Sequence, residues 1–286
     1  MSLTIGSMFS GMGGLDLAVE QVLDAEPAWF CEWDDAPSKV LAHHWPTVPN
    51  YRDVTRIDWE QVPRVDILTG GYPCQPFSHA GRRKGEHDER HLWPYVRAAI
   101  RVLRPRFALL ENVAGDRSMG FGQVLTDLAS DGFDAQWATV RARDVDAPHE
   151  RERLFILVVP DPDRLRLEAG RLPGRQEEEV ASNNSGFRSF PSHNRRVEWG
   201  EYAPAVRRWE RRIGEAPDPV IVSDSGKPLL DTRFPEWMMG LPVGHVTAPE
   251  IGLTRAQQLK AIGNGVCTQQ GALALRELLT MMEETI

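Results

Sequence analysis

The chain has 286 residues, 41% hydrophobic and 26% charged, with three cysteines and a formal net charge of −8. That length can bury one large core, or a large and a small one. The composition excludes a disulfide scaffold, and no apolar run reaches the roughly 20 residues of a membrane-spanning helix. The N-terminus lacks a basic stretch followed by an apolar one, so no secretory leader is expected. The expected protein is cytoplasmic, without membrane contact. Cys31, Cys74 and Cys267 match no zinc spacing, so no metal is expected. The acidic balance argues against a general nucleic-acid binder. Within Arg188–Arg212, however, 7 Arg face 3 Glu, and arginine suits bidentate phosphate and base contacts. A GC-rich genome would give the same arginine bias.

Leu3–Met8 reads as a strand that runs into the glycine-rich turn Ser10-Gly11-Met12-Gly13-Gly14. Leu15, Ala18, Val19, Val22 and Leu23 then share one helical face. Ala28–Glu32 reads as a second strand, and Val65–Gly70 has the apolar continuity of a buried one. Pro94 opens a helix with Val96, Ile100 and Leu103 on one face. Phe107–Leu110 reads as a buried strand, Phe121–Leu128 as a helix, and Ala135–Val140 and Arg153–Val159 as strands. This alternation predicts an α/β fold, a mostly parallel sheet covered by helices. From Pro160 to about Leu230 the chain is rich in Pro, Gly, Ser, Asn and charge, and only Ala203–Ile213 looks periodic. Regular structure returns at Pro235–Met239, Thr254–Lys260 and a final helix with Leu275, Leu278, Leu279 and Met282. The expected organisation is a large domain (1–159), a small irregular lobe (160–232) and a return to the first domain (233–286).

Six places along this framework carry chemistry. The turn at Phe9–Gly14 lies between a strand and a helix, where glycines let a ligand approach the backbone. A tight turn without a ligand would look similar. Glu32 follows the three glycines by 18 to 21 residues, the interval at which nucleoside-binding folds place an acid on the ribose. Trp33 beside it can stack on a purine ring or pack in the core. Gly71-Tyr72-Pro73-Cys74-Gln75 follows a buried strand. A lone cysteine is usually a small buried hydrophobe, but ligands bind beyond the carboxyl ends of parallel strands. Glu111, after the Phe107–Leu110 strand, would have its carboxyl pKa raised by desolvation, as a proton donor needs. In His149-Glu150-Arg151-Glu152-Arg153, strand alternation puts Arg151 and Arg153 on one face, which a salt-bridged surface edge would also explain. Gly263-Asn264-Gly265 is a turn before the last helix.

Together, in this order, these segments resemble the cytosine-C5 DNA methyltransferase family. The resemblance runs from Phe9 to the final helix, apart from the irregular stretch. Pro73-Cys74-Gln75 and Glu111-Asn112-Val113 are its most specific parts, and Trp237–Pro242 looks like the compact phage and prophage-type members. It implies a Rossmann-like fold of the S-adenosylmethionine-dependent type. Cytosine is a poor nucleophile at C5, and a thiolate added at C6 makes the ring an enamine. By resemblance, Cys74 is that nucleophile and Glu111 the acid at N3 and the amine. Arg153 holds O2, and Arg151 supports the pocket. S-adenosylmethionine would lie against Phe9, Gly11, Gly13, Glu32, Trp33, Asp53, Val54, Pro73, Leu92, Asn264 and Val266.

The partner implied is double-stranded DNA, with the target base flipped out of the helix. The loop Ser78–Leu92 is expected to close over DNA, and segment 160–232 corresponds by position to the target-recognition region. A monomer is expected, with a cognate restriction endonuclease as a possible companion. His149 stands where the family usually has Gln. An RNA cytosine methyltransferase would carry Cys-Phe-Thr, which is missing. An amino-group methyltransferase would carry an Asp/Asn-Pro-Pro-Tyr/Phe motif, and a nicotinamide enzyme GxGxxG; neither is found. An inactive DNA-binding relative would not need Cys74, Glu111, Arg151 and Arg153.

Overall fold

The computed structural model describes residues 2–72, 92–113, 120–161, 197–223 and 225–283. Six strands form one sheet: β1 (Leu3–Met8), β2 (Ala25–Cys31), β3 (Ile67–Gly70), β4 (Phe107–Val113), β5 (Phe133–Arg141) and β6 (Glu152–Pro160). Their order is β2-β1-β3-β4-β6-β5. The pairs β1–β2, β1–β3 and β3–β4 are parallel. Only β6 runs against the rest, pairing antiparallel with β4 and β5. The connection from β5 to β6, residues 142–151, is too short for a crossover helix, so the chain turns back as a hairpin. The mostly parallel sheet expected from the alternation is therefore present, with one reversed strand.

Among the described residues, helices α1 (Gly14–Glu20), α2 (Asp35–His44), α3 (Trp93–Leu103) and α4 (Phe121–Ser130) connect the strands, and the C-terminal part adds four more. These are α5 (Ala203–Ile213), α6 (Arg233–Met238), α7 (Arg255–Asn264) and α8 (Thr268–Glu283). Two elements escaped the sequence reading. The Asp34 side chain caps α2, accepting from the Ala36 N–H at 3.3 Å. A hairpin of β7 (Val220–Val222) and β8 (Pro228–Leu230) lies in the stretch expected to be irregular. Strand β4 also runs past Leu110, because Glu111, Asn112 and Val113 pair with β6. Glu111 is thus a strand residue, not one that follows a strand.

One face of the sheet packs against α3 and α4 through Val96, Ile100, Leu103, Val124 and Leu128. The other face meets α1 and α8 through Leu15, Val19, Leu275 and Leu278. A further core joins Val206, Trp209 and Ile213 of α5 to Trp237, Leu241, Val246, Ala142 and Val145. There the Trp209 indole N–H donates to the Trp237 carbonyl at 2.9 Å, and the Trp237 indole to Gly214 at 3.0 Å.

The buried imidazole of His245 ties this core to the glycine-rich turn. Its Nε2 lies 2.7 Å from the Met12 carbonyl, which can only accept, so Nε2 carries the proton. The ring stacks on His44 at 4.2 Å with 9° between planes. Burial, and then the neighbouring His44, push the His245 pKa from 6.5 down to about 4. Between those values the unfolded chain binds the extra proton and the folded chain does not. This contribution is present above about pH 6.5 and is lost as pH falls toward 4, amounting to about 3 kcal/mol. The raised carboxyls of Asp16 and Glu20 act in the opposite sense. Urea denaturation at pH 7 and pH 4.5 should therefore show a smaller acid loss for His245→Gln than for the wild type. Equal losses would show that His245 does not drive it.

Candidate active site

A cleft opens where β1, β3 and β4 end. Its walls are residues 7–11 and 14–15, 69–71, Glu111 and 264–266. Of the residues singled out in the sequence, Phe9, Gly11, Glu111, Asn264 and Val266 line it together. The turn needs its glycines. Gly11 and Gly13 have φ of +55° and +84°, where a side chain is strained. At Gly11 a Cβ would point into open space, so the missing side chain leaves room for a ligand. At Gly14 a Cβ would lie 2.6 Å from the Val266 carbonyl, so the turn and the 263–266 loop touch directly.

Glu32, the acid expected on a ribose, spans the turn and the start of α2. It accepts from the Gly11 N–H at 2.8 Å and the Asp34 N–H at 2.7 Å. Each carboxylate oxygen keeps a second lone pair for a ligand hydroxyl. Burial raises the Glu32 pKa, and the two backbone bonds offset this in part. Trp33 is 69% exposed, so the core-packing reading of this residue is wrong and its ring face is free. Asp53 accepts from the Thr55 hydroxyl at 2.7 Å and its N–H at 3.0 Å. These bonds hold its pKa below the ordinary value. Val54 is buried in the same core as Cys31 and Met8, and Leu92 is half-buried against that core. Glu32, Trp33, Asp53, Val54 and Leu92 lie outside the cleft lining, as does Gly13. Pro73 and Cys74 lie outside the described residues, as does the loop after them up to residue 91.

The antiparallel register explains the main contact. Val113 pairs with Arg153, so Glu111 is the diagonal neighbour of Arg153 on the same sheet face. The Arg153 guanidinium Nε lies 2.8 Å from Glu111 Oε1. Burial raises the Glu111 pKa, while Arg153 and then Arg151 pull it back.

Arg151 departs from the strand alternation expected of it. It sits one residue before β6 with φ of +27°, so strand alternation does not set its direction. Its guanidinium donates to the Gly263 carbonyl at 3.1 Å and also to that of Gly265. Burial, and then Arg153, push its pKa down to about 10. His149, at the position where Gln was expected, bonds through Nε2 to the Met238 carbonyl at 2.9 Å.

Two residues were missed in the sequence. The Gln270 amide donates to the carbonyls of Val140 at 2.8 Å and Arg151 at 2.7 Å, fixing the arginine backbone. Asp16 is fully buried behind the cleft wall. The only signal of either was a polar residue in the first turn of a helix. Among the described residues, no helix is long and apolar enough to cross a membrane.

A family model described as C-5 cytosine-specific DNA methylase matches residues 3–207. Type II methyltransferase M.BsuFI of Bacillus subtilis is 31% identical over 162 residues, covering 55% of this chain and 39% of that protein. Orphan methyltransferase M.SPRI of Bacillus phage SPR is 27% identical over 225 residues, covering 76% of this chain and 51% of that protein. The chain thus spans about two-fifths to one-half of the length of these relatives. In structure it is similar to a mutant of DNMT2 from Spodoptera frugiperda, with TM-score 0.65 and 17% identity over 97% of this chain and 100% of that one. With the family model matched over most of its length, the chain belongs to the C-5 cytosine-specific DNA methylase family.

Proposed function

We propose that this protein methylates C5 of cytosine in double-stranded DNA, using S-adenosylmethionine and a covalent bond between Cys74 and C6 of a flipped-out base. The observation that carries this reading is the Glu111–Arg153 pair at the glycine-rich cleft, on the strand next to the one that leads into Pro73-Cys74-Gln75. Bound S-adenosylmethionine would supply the methyl group as an electrophile. The residues present fit such a group: an open cradle at Gly11, a carboxylate at Glu32 and a free aromatic face at Trp33. Phe9, Gly13, Asp53, Val54, Pro73, Leu92, Asn264 and Val266 complete the assignment.

Attack of the Cys74 thiolate on C6 puts negative charge on the ring. Glu111, its pKa raised by burial, gives a proton toward N3 as that charge develops. Arg153 holds O2 and keeps Glu111 aimed. Arg151 keeps the 263–266 loop in place from behind. After transfer the C5 proton leaves, to a water, and Cys74 is eliminated. Segment 160–232 would read the target, with exposed Arg207, Arg208, Arg211 and Arg212 of α5 toward DNA. Arg208 and Arg212 already face Asp146, at 3.6 and 3.5 Å, so Arg207 and Arg211 carry more of that assignment. A monomer in the cytoplasm, with or without a cognate endonuclease, fits this reading.

Product analysis tests it. The protein is incubated with unmethylated duplex DNA and labelled S-adenosylmethionine, and the digested nucleosides are identified by mass spectrometry. Label in 5-methyldeoxycytidine is expected. Absence of labelled base, from folded protein that binds the donor, would overturn the DNA reading and make RNA the next substrate. Glu111→Gln keeps the shape and removes the acid. It should slow single-turnover transfer by about 10²- to 10³-fold while donor affinity stays within about twofold. A matching loss of donor affinity would place Glu111 in binding instead.

A further inference from the structure

Asp16 is the most deeply buried charge near the cleft, with no exposed surface. Its two oxygens accept from the Ser7 hydroxyl at 2.8 Å and the Thr69 hydroxyl at 2.6 Å. Ser7 and Thr69 belong to the ends of β1 and β3 and form part of the cleft wall. Four residues along the same helix, Glu20 has a buried Oε1 with no hydrogen-bond partner. A neutral asparagine could join the same two hydroxyls, which rotate to donate or accept. Burying a carboxylate costs more than burying an amide. The structural job of linking β1, β3 and α1 therefore does not account for the charge.

We propose that Asp16 is a positioning residue whose buried negative charge makes the cleft prefer a cationic donor over its uncharged product. This rests on the S-adenosylmethionine reading. The donor carries a sulfonium, and its demethylated product a neutral thioether; the rest of the two molecules is the same. A charge behind the wall therefore discriminates between them without touching either. Poor screening inside the protein lets it act across the wall.

Calorimetry with S-adenosylmethionine and S-adenosylhomocysteine, on wild type and Asp16→Asn, reads the ratio of the two dissociation constants. The variant is expected to lose donor preference by on the order of tenfold. Equal weakening of both ligands, or an unchanged ratio, would overturn the inference, since a purely structural role moves both together. Wild type that binds neither ligand would remove the cofactor reading itself and this inference with it.

A second measurement keeps the test open should Asp16→Asn not fold. Burial raises the Asp16 pKa to about 6, against the bonds from Thr69 and Ser7. The wild-type ratio should therefore fall as pH drops through about 6 and the carboxylate is neutralised. The other charged groups around it are Glu20 on the same helix, Glu111 across the cleft and Arg276 on α8, which reaches the Gln21 carbonyl. Glu20 titrates beside it, raised to about 7 by burial and by the charge of Asp16, so the ratio is read in Glu20→Gln, where a flat ratio near pH 6 would overturn the inference.

Discussion

Cys74→Ser is expected to abolish methyl transfer, lowering it by at least about 10⁴-fold, with donor affinity within about twofold of wild type. The other two thiols cannot replace it. Cys31 donates to the Arg52 carbonyl at 3.4 Å, and burial followed by the charge of Glu32 pushes its pKa to about 12. Burial pushes Cys267 to about 11. Neither is a thiolate near neutral pH, and the thiolate is the nucleophile. The described chain reaches the cleft at Gly71, where a Cβ would lie 3.5 Å from Glu111 Oε2. Cys74 follows three residues later. A serine hydroxyl is far less acidic than a thiol and lacks its intrinsic nucleophilicity. Isotope transfer to DNA checks this. Residual activity above about 1% of wild type would reassign the nucleophile.

Glu236→Ala is expected to cost about 4 kcal/mol in a urea titration, among the larger single-site effects. Glu236 of α6 has no exposed surface. Its Oε1 accepts from the N–H groups of Val246 at 2.6 Å and Thr247 at 3.0 Å. Its Oε2 accepts from the Gly244 N–H at 2.9 Å and the Thr247 hydroxyl at 2.8 Å. Alanine would leave these donors without an acceptor in a buried place, which costs far more than the same change at the surface. The damage should also reach the cleft. His245 lies inside the strapped loop and holds the Met12 carbonyl of the glycine-rich turn. Donor affinity should therefore fall together with stability, whereas Glu111→Gln separates the two. A loss below about 1 kcal/mol would mean that water replaces the carboxylate.

The strands beneath the cleft were legible because β1, β3 and the start of β4 are short apolar runs ended by turn or polar residues. Helix α2 was not: Pro37 and the pair His43-His44 blur its period. The hairpin β7–β8 was missed because three-residue strands whose apolar side chains face solvent give no alternation to read. Among site residues, Phe9, Gly11, Glu111, Asn264 and Val266 could be grouped because each sits at a strand end or turn. The contact between Glu111 and Arg153 could not be foreseen, since it depends on the register of two strands distant in sequence. Arg151 went to the glycine loop because a single positive φ cancels the alternation that sequence reasoning relies on. Asp16 lies off the apolar stripe of α1, yet it turns toward the sheet and bonds Ser7 of β1 and Thr69 of β3.

The contact between Gly14 and Val266 has a consequence for how the protein is made. One wall of the cleft is synthesised about 250 residues before the wall that completes it. Until α8 emerges and packs on α1, the early strands lack a cover on one face. Contacts this far apart in sequence form slowly, because the closure entropy of the intervening chain comes first. Between those two points the nascent chain carries the glycine-rich turn without the wall that closes it. Ligand binding at the cleft should therefore appear as a single event once the second wall has emerged, rather than rising with chain length.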